Sequence, residues 1–166
     1  MSFDLEVVIV NQEDPVQIPF KSSIEVMNER DNQEIRRFGT TWKFMSQTKG
    51  IWYSLVKDDE GIKNAFLLCD SDFERDAQHL PVPFWIENED VIYNLTPLII
   101  RPQFKMDFER ILSFFIEQSP SKTIMFLARY QGGDCEIIQG NLSIHDFINQ
   151  LNLKNILFNV SYLITE

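Results

Sequence analysis

The stretch FKMDFERILSFFIEQ at residues 104–118, followed by Ser119-Pro120 and then KTIMFLARY at 122–130, decides the fold class. Phe104, Phe108, Ile111, Leu112 and Phe115 fall at i, i+4, i+7, i+8 and i+11, which is one stripe of an amphipathic helix. Proline lacks the N–H that continues a helical ladder and biases its predecessor away from α geometry, so Pro120 ends the helix at Ser119. Lys122–Tyr130 is then a buried strand. A helix that must cover a strand gives an α+β chain.

Working outward toward the C-terminus, Gly132 and Gly133 permit a tight reversal, and Cys135–Gln139 is expected to return as the second strand of a hairpin. A second helix starts at Ser143. Asp146 sits three residues on in the manner of a capping box, and Leu142 with Phe147 matches a hydrophobic staple. Ile144, Phe147, Ile148 and Leu151 form its buried face, and Asn152 is placed for a C-terminal cap. Ile156, Phe158, Val160, Tyr162 and Ile164 then alternate against Leu157, Asn159, Ser161, Leu163 and Thr165, a strand with one core face and one half-polar face. With Asp90–Leu95 as a further strand, residues 91–166 together with Asp90 run β-α-β-β-α-β, the element order of a ferredoxin-like unit.

Residues 1–90 are mainly β in pattern. Leu5, Val7 and Ile9 alternate, and Ile51–Lys57 and Ile62–Cys69 are strand-like runs separated by the turn Asp58-Asp59-Glu60-Gly61. Residues 32–46 fit two descriptions, since Ile35, Phe38, Trp42 and Met45 have helical spacing while Gly39, Thr40 and Thr41 favour a strand. The expected architecture is one mixed or antiparallel sheet with two helices, in a single domain over 1–166. A chain of 166 residues is long enough to bury one core, and no linker or repeat divides it.

Composition narrows the function classes. With 25 Asp plus Glu against 15 Lys plus Arg, a net charge of −10 opposes binding to nucleic acid phosphates and to anionic membranes, and 13% aromatic residues oppose disorder. The longest apolar runs fall far short of the roughly 20 residues that span a bilayer, and Asp4 and Glu6 interrupt the N-terminus. Cys69 and Cys135, 66 positions apart without a CxxC pattern, suggest reduced thiols and a cytoplasmic setting.

No phosphate-binding loop, dinucleotide, zinc-protease, serine-hydrolase or kinase motif occurs, and no cofactor is indicated. Asp70, Asp72, Glu74 and Asp76 alternate like the start of a calcium loop, but Arg75 and Pro81 stand where glycine and glutamate are required. A solvated acidic loop is the better description. His79 and His145 are the only histidines. His145 belongs on the surface in the first turn of the second helix, and His79 in a loop between acidic residues and Pro81-Val82-Pro83. Asp134 and Glu136 flank Cys135 and favour its protonated, inert thiol.

The negative charge is not spread evenly. Residues 58–90 contain Asp58, Asp59, Glu60, Asp70, Asp72, Glu74, Asp76, Glu87, Glu89 and Asp90 against Lys63 and Arg75, which is −8 of the −10. Phe73, Phe84 and Trp85 are interleaved, and aromatic anchors rimmed by charge are the composition of a protein-binding hot spot. The expectation is a non-catalytic module that binds a basic protein, for example an immunity or inhibitor protein acting on a toxin nuclease. Its contacts are assigned to Asp58, Asp59, Glu60, Asp70, Asp72, Phe73, Glu74, Asp76, Trp85 and Glu87. Two alternatives are a ligand-binding protein or enzyme with a pocket near His79, between the sheet and helix 104–118, and a self-associating subunit using Ile156–Ile164 as an edge strand.

Overall fold

A computed structural model describes residues 3–28, 47–55, 97–130 and 137–166. Its strands are β1 (Phe3–Val10), β2 (Met27–Asn28), β3 (Gly50–Ser54), β4 (Thr123–Tyr130), β5 (Ile137–Ser143) and β6 (Val160–Thr165), and its helices are α1 (Pro102–Gln118) and α2 (Ile144–Asn152). They form one mixed, six-stranded sheet in the order β2-β3-β1-β4-β6-β5, an α+β architecture. Among the described strands, only the β5–β6 pair is parallel.

Alternation dictates which side chains meet the helices. Leu5, Val7 and Ile9 of β1, Ile124, Phe126 and Ala128 of β4, and Val160, Tyr162 and Ile164 of β6 share one face with the buried residues of α1 and α2. Phe126 is the centre of an aromatic chain on that face, edge-on to Phe108 of α1 at 5.7 Å and to Phe147 of α2 at 5.4 Å. Phe147 in turn meets Tyr162 at 5.7 Å. Rings at these separations and steep angles are attracted beyond their burial. The opposite face of the central strands is buried as well, through Val8, Met125 and Leu127. A strand buried on both sides has a near-continuous apolar sequence, which TIMFLA at 123–128 supplies.

The helix ends follow the sequence with small differences. Pro102 opens α1. Ser119 closes it with an extended backbone, is 1% exposed, and donates its hydroxyl to the Val10 carbonyl at 2.7 Å, tying the end of α1 to the end of β1. Lys122 adopts a positive φ of 52°, so β4 begins one residue later than the apolar run suggests. Ser143 caps α2 by accepting from the Asp146 N–H at 3.0 Å. Asp146 does not reach back to the Ser143 backbone; it accepts the Ser143 hydroxyl at 2.8 Å, which orients the cap. Asn152 remains helical and Leu153 is the C-cap, with Lys154 taking the left-handed conformation at φ 62°.

The expected hairpin between β4 and β5 does not form. β6 lies between them, antiparallel to β4 and parallel to β5. The reason is burial. Val160, Ser161, Tyr162 and Ile164 are all at most 1% exposed, suiting an interior position, whereas Gly140 and Asn141 are exposed and Asn141 has φ 62°, breaking the β5 register between Gln139 and Leu142. An irregular, polar strand belongs at an edge. The parallel β5–β6 pair needs a crossover, and α2 provides it.

The ferredoxin-like order is therefore not confirmed, and the strand expected at 90–95 lies outside the described residues, as do 32–46, the turn at 58–61 and the run at 62–69. Ile156–Ile164 is not one strand either. Leu157 makes an isolated bridge to Pro97, Asn159 turns the chain at φ 61°, and β6 starts at Val160 with neighbours on both sides. It offers no free edge for self-association.

Candidate functional site

The residues expected to contact a partner, Asp58, Asp59, Glu60, Asp70, Asp72, Phe73, Glu74, Asp76, Trp85 and Glu87, lie outside the described residues. So do His79, Cys69 and Cys135. His145 is exposed in the first turn of α2, with Nε2 3.0 Å from the Asn149 side-chain amide. The face of α1 toward the sheet is buried, with Phe108, Ile111, Leu112 and Phe115 each 0% exposed.

The site that the described residues do assemble is on the outside of α1. Residues 16–24 cross there as a strap fastened at several points. Tyr53 on β3 packs its ring on Phe115 at 4.7 Å and is 2% exposed, yet its hydroxyl accepts the Val16 N–H at 2.6 Å and donates to the Val16 carbonyl at 3.3 Å. Phe20 meets Phe114 edge-on at 6.0 Å, and the Arg110 guanidinium lies 4.1 Å from the Phe20 ring centre. The Ser23 N–H and hydroxyl both donate to Asp107 Oδ2, the N–H at 2.6 Å. Ile24 then enters the core at 5% exposure.

These contacts set the local electrostatics. The Ser23 hydroxyl, then the Ser23 N–H, hold the Asp107 carboxyl below its ordinary value, with a smaller contribution from Arg110; partial desolvation acts in the opposite direction. The strap and α1 enclose an open groove of about 560 Å³. Its apolar surface comes from Phe20, Met106 and Phe114, and its charged rim from Glu109, Arg110 and Glu117. Met106 is 73% exposed. An exposed methionine beside aromatic rings and an arginine has the composition of a protein contact surface, where Met, Phe and Arg are enriched and the thioether adapts its shape.

A second polar feature lies on the sheet face opposite the helices. The register aligns Ser54, Glu6, Leu127 and Ser161 in one row across β3, β1, β4 and β6. Glu6 is 8% exposed and Ser54 7%, while Ser161 is 0% exposed and its hydroxyl makes no hydrogen bond. Among the described residues, no group of three or more His, Cys, Asp or Glu side chains could hold a metal ion. No described helix is long and apolar enough to cross a membrane.

Sequence reasoning missed the groove, although a signal was present. Met106 and Phe114 lie off the inner stripe of α1 and are eight residues apart, so they mark a second apolar line on the same helix. No family model matches the chain, and no curated protein or solved structure is similar to it. The fold and groove define a class only: an α+β protein carrying an amphipathic groove on its outer helix.

Proposed function

We propose that the protein is a non-catalytic binding module for a basic protein, with inhibition of that partner, as in an immunity protein, as its biological form. The observation that carries this is charge segregation: residues 58–90 hold −8 of the net −10. Clustered carboxylates raise the local concentration of a basic partner and steer its approach, giving fast association that salt screens. The groove on α1 supports the same reading, because long-range charge brings a partner near while apolar anchors hold it.

A cytoplasmic partner fits the two widely spaced cysteines. Affinity capture from the native host at low and high salt tests the proposal. It expects a basic protein retained at low salt and released at high salt. Recovery of no protein at either salt, or of an acidic partner only, overturns it.

A further inference from the structure

We propose that the groove on α1 is the docking site of a basic amphipathic helix, the anchoring element of the partner whose charge the acidic segment attracts; the inference rests on that protein-binding reading and gives it a second, apolar contact. Met106, Glu109, Arg110, Ser113, Phe114 and Glu117 fall at i, i+3, i+4, i+7, i+8 and i+11, a line along the outer face of α1. Eleven residues at 1.5 Å rise make it about 16 Å long, or three turns. The strap, through Phe20, forms the other wall. A groove of that length, apolar at Met106 and Phe114 and charged at Glu109, Arg110 and Glu117, suits an amphipathic helix laid along it, whose anchors repeat every three or four residues.

Charge then selects the partner's chemistry. Arg110 stacks over Phe20, so the groove carries two carboxylates, Glu109 and Glu117, against this one guanidinium. Lys122 donates to the Glu117 carbonyl at 2.6 Å, where it satisfies the C-terminal turn of α1. Lys105 reaches the Asn152 side chain of α2 at 3.2 Å, away from the groove. Glu109 and Glu117 are exposed, and among the described residues no hydrogen bond or ion pair engages either carboxylate. They stand eight residues apart, about 12 Å along the axis. A partner helix with Lys or Arg separated by two turns reaches both, while one apolar side chain between them covers Phe114 and a second, beyond Glu109, covers Met106. An acidic helix would be repelled at both ends of the same trough.

The test uses the full chain with methyl-labelled methionine and a synthetic helical peptide of about 14 residues, leucine on one face and lysine on the other, together with the same peptide carrying glutamate for lysine. The lysine peptide should shift the Met106 methyl resonance. Met106→Ala should weaken its binding about tenfold or more, as truncation of an apolar anchor does. Glu109→Gln combined with Glu117→Gln should weaken it and flatten its salt dependence. Met106 is largely exposed, so its replacement leaves the fold intact, and unchanged resonances of the other methionines verify that.

An unmoved Met106 resonance, equal binding of the glutamate peptide, or wild-type affinity in Met106→Ala overturns the groove assignment. Neutralising the segment separately, by Asp70→Asn, Asp72→Asn, Glu74→Gln and Asp76→Asn, distinguishes the two proposals. Loss of binding in that variant with full binding in Met106→Ala removes the groove and keeps the acidic-segment reading. The reverse pattern keeps the groove and removes the segment.

Discussion

Replacing Phe20 by leucine should loosen the strap without disturbing the sheet. The ring is half-buried, edge-on to Phe114 at 6.0 Å and beneath Arg110 at 4.1 Å. Leucine retains much of the apolar area, so the loss is confined to the two ring-specific interactions. An edge-to-face pair contributes about 0.5–1.5 kcal/mol and a partly exposed cation–π contact about 0.5–1 kcal/mol, which sets the expected destabilisation at about 1–2.5 kcal/mol. Urea denaturation of wild type, Phe20→Leu, Arg110→Gln and the double variant resolves the pair, with a coupling of about 0.5–1 kcal/mol and an unchanged dependence on denaturant. Amide exchange at Ser23 should accelerate in Phe20→Leu while exchange in β4 stays slow. Zero coupling together with wild-type stability would show that Phe20 is not seated on α1, and the groove would lose one wall.

Three further outcomes follow from the same contacts. Tyr162, whose phenol burial pushes well above its ordinary value, accepts the buried Leu157 N–H at 2.8 Å, so Tyr162→Phe strands that donor and should cost about 1–3 kcal/mol in urea unfolding; a neutral result would mean the turn before β6 re-pairs the amide. Ser143→Ala removes the cap of α2 and should cost about 1 kcal/mol, measured the same way, with a change below about 0.3 kcal/mol counting against the cap. The Asp107 carboxyl is lowered in the folded protein, so its contribution is complete above the unfolded value of about 3.9 and disappears as pH falls through the lower folded value. The stability difference between wild type and Asp107→Asn, followed by thermal unfolding, should therefore shrink in acid, and a difference that grows below pH ~4 would reverse the assigned sign.

Local signals were legible in the sequence, and choices of partner were not. The stripe from Phe104 to Phe115, the stop at Ser119-Pro120, the strand expected at Lys122–Tyr130 and the Ser143 cap depend on neighbours within a few positions, and the structure has all of them, with the strand starting one residue later at Thr123. The β4–β5 hairpin failed because strand pairing is settled by burial across the whole sheet. Tyr162 and Ser161 had to lie inside, which left the irregular Gly140-Asn141 strand for the edge. The end of α2 also differs from the sequence reading, since Asn152 stays helical and Lys154 takes the left-handed position that composition favours for Asn. Met106 and Phe114 became a groove only once Phe20, 86 and 94 positions earlier in the chain respectively, was placed against them.

The central claim is that the acidity of residues 58–90 serves recognition and is separable from the scaffold. It is tested most directly by affinity capture from native host extract at low salt, wild type beside the Asp70→Asn, Asp72→Asn, Glu74→Gln, Asp76→Asn variant, at matched urea-unfolding midpoints. A basic protein should be recovered by wild type and strongly depleted with the variant. Equal recovery by both proteins would contradict it.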